Sequence, residues 1–167
     1  YASGAYALYT KGESLKIVSD GTNWQILDHM ASTDWTTYTP AATTGFGTIT
    51  GAVFKWRRVG QDMLIRGVFN TGTTTATIAS ADLPASTTAD SSYASVAGAN
   101  SIVGTWARST ITAFAGTVLA QPSATAINFS QQSGTVSGGS VANGNTIMGS
   151  SNGLTFQCSV QITGWKP

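Results

Sequence analysis

Leu154-Thr155-Phe156-Gln157-Cys158-Ser159-Val160-Gln161-Ile162-Thr163 alternates apolar and polar side chains without a break. Successive side chains of a strand point to opposite faces, so Leu154, Phe156, Cys158, Val160 and Ile162 share one side. This is the pattern of a half-buried antiparallel strand. Toward the N-terminus, shorter runs rich in Thr, Val, Ile and aromatics predict strands at 126–130, 113–119 and 101–107. Between 133 and 145 the chain is rich in Gly, Ser and Asn, which predicts a loop. Neither long helical periodicity nor an internal repeat is visible.

The best strand pair is 52–59 with 63–69, joined by Gly60-Gln61-Asp62. Met63, Ile65 and Phe69 share one face of the second strand, and Leu64, Arg66 and Val68 share the other. Both faces carry apolar residues, so both are expected to be covered. A second chain is the simplest cover for the Leu64, Arg66 and Val68 face. Phe54 and Trp56 share parity and are expected in the core, and Trp165 is expected to close it.

Residues 1–30 form a first unit. Leu15-Lys16-Ile17-Val18 and Trp24-Gln25-Ile26-Leu27 flank Ser19-Asp20-Gly21-Thr22-Asn23, and an Asp-Gly turn between apolar runs predicts a hairpin. Two strands alone are marginal in water, so this hairpin needs another surface or copies of itself. Residues 31–44 read as a linker that becomes an edge strand, since Pro40 is tolerated only at an edge or end. The second unit, 31–167, is expected to be antiparallel and all-β: a sandwich, jelly roll or barrel.

Hydrophobic residues make up 41% of the 167 and charged residues only 9%. The chain can build a core, while its outer polarity must come from Thr, Ser, Asn and Gln. Such a neutral, hydrogen-bonding surface suits sugars or other protein chains. A net charge of +1 argues against nucleic acid, for which Lys55, Arg57 and Arg58 are too small a patch. No apolar run is long enough for a membrane span. The N-terminus lacks the basic and apolar regions of a signal peptide, and the opening at Tyr1 suggests a piece of a longer protein. A single cysteine, Cys158, gives neither an internal disulfide nor a Cys-based metal site.

Catalytic chemistry is hard to assemble from these residues. The acids are Glu13, Asp20, Asp28, Asp34, Asp62, Asp82 and Asp90. A glycosidase needs two carboxylates facing one another, whereas Asp20, Asp62 and Asp82 read as turn residues. His29 is the lone histidine, and a Ser-His-Asp site would have to use it with Asp28 or Asp34 as partner. Cys158 sits at an apolar alternation position and reads as a core residue. No Walker, dinucleotide, zinc or EF-hand spacing is present, and no cofactor is expected. Trp35, Tyr38, Tyr93 and Trp106 lie nearer turns or edges and are the candidates for stacking on sugar rings.

The segment Ser19-Asp20-Gly21-Thr22-Asn23-Trp24, with its flanking strands, resembles one common in bacteriophage tail fibres, where it often precedes a C-terminal domain. Trp35-Thr36-Thr37-Tyr38-Thr39-Pro40, Gly45-Phe46-Gly47, Trp56-Arg57-Arg58-Val59-Gly60 and Met63-Leu64-Ile65-Arg66-Gly67 also look like phage tail modules. The ending Val160-Gln161-Ile162-Thr163-Gly164-Trp165 is similar to the termini of such proteins. Residues 79–145 carry no such likeness.

What the resemblance implies is the C-terminal module of a tail fibre or tailspike. It would be a jelly-roll-like β-sandwich assembled as a homotrimer on the virion, with further domains upstream. Its expected partner is bacterial surface polysaccharide or lipopolysaccharide, and Leu64, Arg66, Val68 and Trp24 are the expected contacts between chains. A purely structural trimerisation module is the alternative, and a hydrolase using Asp34, Asp62 or His29 is a distant third.

Overall fold

The computed structural model describes residues 8, 12–30, 34–84, 87–93, 100–109, 114–131 and 140–165, with Tyr93 described by its backbone only. The N-terminal hairpin pairs β1 (Ser14–Ser19) with β2 (Trp24–Met30). Its turn is held by Asp20: Oδ1 accepts from the Thr22 and Asn23 amides, at 2.9 and 2.7 Å, and Oδ2 from Gln25 Nε2. These donors hold the Asp20 carboxyl below its ordinary range, the Asn23 amide contributing most.

Among the described residues the rest of the chain supplies β3 (Thr36–Tyr38), β4 (Thr43–Thr44), β5 (Thr50–Val59), β6 (Asp62–Asn70) and β7 (Ser80–Asp82). Then come β8 (Ser101–Arg108), β9 (Ala115–Ala120), β10 (Ala126–Gln131), a single helical turn α1 (Gly144–Ile147) and β11 (Gly153–Gln161). These nine strands form one antiparallel sheet in the order β3-β5-β6-β11-β8-β9-β10-β7-β4. The fold is therefore all-β. In place of two separately paired sheets, the strands hydrogen-bond without a break.

The sheet curls strongly. Three strand spacings separate β11 from β10, roughly 14 Å if the sheet were flat. Yet the Phe156 and Phe129 rings, one on each strand, meet edge to face with centroids 5.4 Å apart. Phe46, just after β4, bridges the same interior, 5.1 Å from Phe69 and 5.2 Å from Phe129. The edge strands β3 and β4 are joined by residues 39–42 alone, so the chain itself ties one edge to the other. Asp82 secures this tie: Oδ2 accepts from the Ala42 amide at 2.8 Å, and its own amide donates to the Ala42 carbonyl at 3.0 Å. Asp82 ends a strand and clamps an edge; it is not the turn residue expected. Pro40 lies in the tie, where no ladder amide is needed.

Alternation fills the interior. Phe54, Trp56 and Arg58 of β5, Met63, Ile65 and Phe69 of β6, and Leu154, Phe156, Cys158 and Val160 of β11 are all buried. Trp165 closes one end, its ring tilted against that of Trp56 with centroids 6.0 Å apart, and the buried Arg58 guanidinium lies 5.0 Å from its centroid. Nε of Arg58 donates to the Gly60 carbonyl at 2.8 Å, which fixes it against the Gly60-Gln61 turn. Ile147 and Met148, in and after α1, are buried as well. The expected loop at 133–145 thus ends inside a helical turn, and its stretch 133–139 lies outside the described residues.

The hairpin differs. Ile17, Val18, Trp24, Ile26, Leu27 and Met30 are exposed on both of its faces, Trp24 by 73%.

Candidate functional site

The outer face of the sheet is ordered by register. Thr37 pairs with Lys55, Lys55 with Arg66, Arg66 with Gln157, Gln157 with Thr105, and Thr105 with Thr117. Residues directly opposite one another point to the same face. The result is one polar row across β3, β5, β6, β11, β8 and β9, roughly 24 Å long from the usual strand spacing.

Two adjoining hollows of about 600 and 540 Å³ lie along this face and share Arg66, Thr105 and Gln157. One extends over Val53, Val68 and Thr155, the other over Trp35, Arg57, Leu64 and Ser159. Together they make an open groove. Its charged lining residues are Lys55, Arg57 and Arg66, and none of the seven acids of the chain lines it.

Trp35 forms a wall of this groove. It stands two residues before Thr37, so it shares that outward face. The Arg66 guanidinium lies 4.2 Å from its ring centroid and that of Arg57 4.9 Å. Cations over an indole face are attracted by its negative quadrupole. Trp35 therefore acts as an anchor for two arginines within the groove.

The other aromatic candidates separate. Tyr38 has the opposite parity: it pairs with Phe54 and its ring meets Phe54 edge to face at 5.7 Å. Among the described residues its buried hydroxyl has no hydrogen-bond partner, and burial pushes its pKa well up. Tyr38 is a core-facing residue, contrary to expectation. Trp106 is also corrected: it is 2% exposed, its ring lies over Gly116, and its Nε1 donates to the Ser130 carbonyl at 2.8 Å. No face of that ring is open to a sugar. The backbone of Tyr93 ends a 3-10 turn at Ser91–Tyr93, while its side chain lies outside the described residues.

The expected interface residues divide as well. Leu64, Arg66 and Val68 do share the outward face, and there they line the groove, with Val68 47% exposed in the single chain. Trp24 is on the hairpin. Of the three cations weighed together, Arg58 turns inward while Lys55 and Arg57 stay on the groove side.

The acids are scattered. Asp90 accepts from the Ser92 amide and hydroxyl, which keep its pKa low. Asp62 opens β6, Asp28 lies on β2 and Asp34 precedes Trp35. His29, on β2, pairs with Leu15. Cys158 is buried, and desolvation pushes its thiol well above the ordinary value, which suppresses the nucleophilic thiolate. Among the described residues no group of three or more His, Cys, Asp or Glu side chains could hold a metal ion.

No family model, curated protein or solved structure matches this chain. Its function is therefore read from the groove itself. Sequence reasoning missed Lys55, Thr37, Thr105 and Gln157 as groove residues. Strand parity was the available signal for Lys55 and Gln157, but the row also needs the pairing partners, which are distant in sequence.

Proposed function

We propose that this chain is a binding module, the C-terminal part of a bacteriophage tail fibre or tailspike, and that its outer groove takes host surface glycan. The single observation that carries the reading is the polar row from Thr37 to Thr117. Its hydroxyls, amide and cations are laid in register along an open groove. Such a row matches a chain of sugar hydroxyls, because its hydroxyls and amide donate and accept while its two cations donate. The scattered acids favour binding over hydrolysis.

We further propose that the chain works as a homotrimer on the virion, with the curled sheet as a sandwich-like tip and other domains upstream. The hairpin supports this: apolar side chains on both of its faces find cover where copies of the chain pack together. Three tip sites acting together gain avidity, by roughly 10²–10⁴-fold where the geometry allows joint engagement.

The test is competition for adsorption. Purified chain is expected to block phage attachment to host cells, and Gln157→Ala, on the exposed row, to lose that block. A well-folded chain that neither blocks attachment nor binds host polysaccharide would reject the reading. A second reading, trimer clamping alone, draws on the Val53–Val68 pair, both exposed and directly opposite on β5 and β6. If so, neighbouring chains would seal the groove, and groove variants would dissociate the assembly without touching glycan.

A further inference from the structure

Lys55 and Arg66 stand directly opposite one another on β5 and β6, side chains on the same face. Like charges in that arrangement repel and weaken a sheet. Arg57 is two residues along β5, on the same side. Thus the groove lining gathers three of the eight cations of the chain and none of its seven acids. In a chain with 9% charged residues, this concentrates positive charge on one face. Trp35 restrains the Arg66 head at 4.2 Å but brings no negative charge.

We propose that the groove is selective for an anionic saccharide, with Lys55 and Arg66 receiving a carboxylate of the glycan between them. This rests on the glycan reading of the groove and narrows it to one chemical class. A guanidinium presents a planar fork that matches two carboxylate oxygens, and an ammonium adds a mobile point charge beside it. Gln157, next to Arg66 in the row, and Thr105 beyond it then meet ring hydroxyls. The bound carboxylate relieves the repulsion between the two cations. A long polyphosphate backbone is a poorer match, since three cations release few counterions.

The arrangement implies a trade between stability and binding. Lys55→Gln removes the repulsion, so the free protein melts at a higher temperature than wild type. The same change removes a charge-assisted contact, and affinity for an acidic glycan falls about tenfold. A residue with a merely structural role would not move these two readouts in opposite directions. Raised salt weakens wild-type binding more than it weakens the variant's.

The experiment uses the full chain on an array in which uronate-bearing and neutral polysaccharides are printed together. Each acidic glycan stands beside its carboxyl-reduced form, with polyglutamate and a DNA duplex as further polyanions. Hits confined to carboxylate-bearing glycans, lost on carboxyl reduction and weakened by Lys55→Gln and Arg66→Gln, are the expected result. Hits on neutral or reduced glycans that survive both changes but fall with Gln157→Ala overturn the anionic selectivity and leave the glycan groove standing. Equal binding to polyglutamate or DNA overturns it as well, since charge alone would then suffice. No glycan hit at all, from a chain that melts cooperatively, overturns both.

Discussion

The ring of Phe156 lies over Gly67, its register partner on the neighbouring strand, and fills the space that a side chain would take. The same device recurs where Trp106 covers its partner Gly116. An aromatic laid over a bare strand backbone lets a sheet bend inward without leaving a void. These two pairs sit on the strands that bring Phe156 against Phe129, so they belong to the curl that shapes the outer groove.

Gly67→Ala places a methyl inside the Phe156 ring, and the chain must shift to admit it. Overpacking of this kind costs about 1–3 kcal/mol. Urea denaturation should show the loss, and adding Phe156→Leu should recover part of it. Unchanged stability in the single variant would mean that the ring does not sit over the glycine.

Tyr38→Phe removes a buried hydroxyl that has no hydrogen-bond partner among the described residues. Losing an unsatisfied polar group is neutral or stabilising, by up to about 1–3 kcal/mol. The melting temperature should hold or rise, and glycan binding should be unchanged. A selective loss of binding would return Tyr38 to the recognition surface.

Much of this fold was legible in the sequence. The alternation from Leu154 to Thr163 located β11 and its buried face, because a period of two kept over ten residues leaves little choice of phase. The Asp20-Gly21 and Gly60-Gln61 turns located two hairpins through local turn chemistry. Closure was not legible. β4 has two residues and β7 three, too few to carry a period, and their role comes from distant pairing. Trp106 was misread because β8 carries apolar residues in both phases, Val103 and Ala107 against Ile102 and Trp106, with a register shift between Ile102 and Gly104. The groove depends on β11 entering between β6 and β8, which no local signal encodes.

The hairpin should control assembly. Light scattering of the intact chain is expected to give the mass of three 17.2 kDa chains. Replacing Trp24 and Leu27 together by Ser should yield single chains whose nine-stranded sheet still melts cooperatively. A trimer that persists in this variant would move the contacts to the Val53–Val68 face.

Asp20 gives the hairpin a pH dependence with a definite sign. Its folded pKa lies below the ordinary 3.8, so its contribution is present above that value and is lost as pH falls through the lower, folded one. Side-chain carboxyl shifts followed by NMR should titrate below 3.8 for Asp20. Asp20→Ala should abolish that titration and loosen the turn amides of Thr22 and Asn23. A midpoint at or above the ordinary value would show that those amides do not hold the carboxylate.

The most direct test of the whole account is a crystal structure of the assembled chain with a fragment of host surface glycan. Sugar density along the row from Lys55 through Arg66 and Gln157 to Thr105, in a groove left open by the neighbouring chains, is the predicted result. A groove sealed by another chain, or sugar bound only elsewhere, would contradict it.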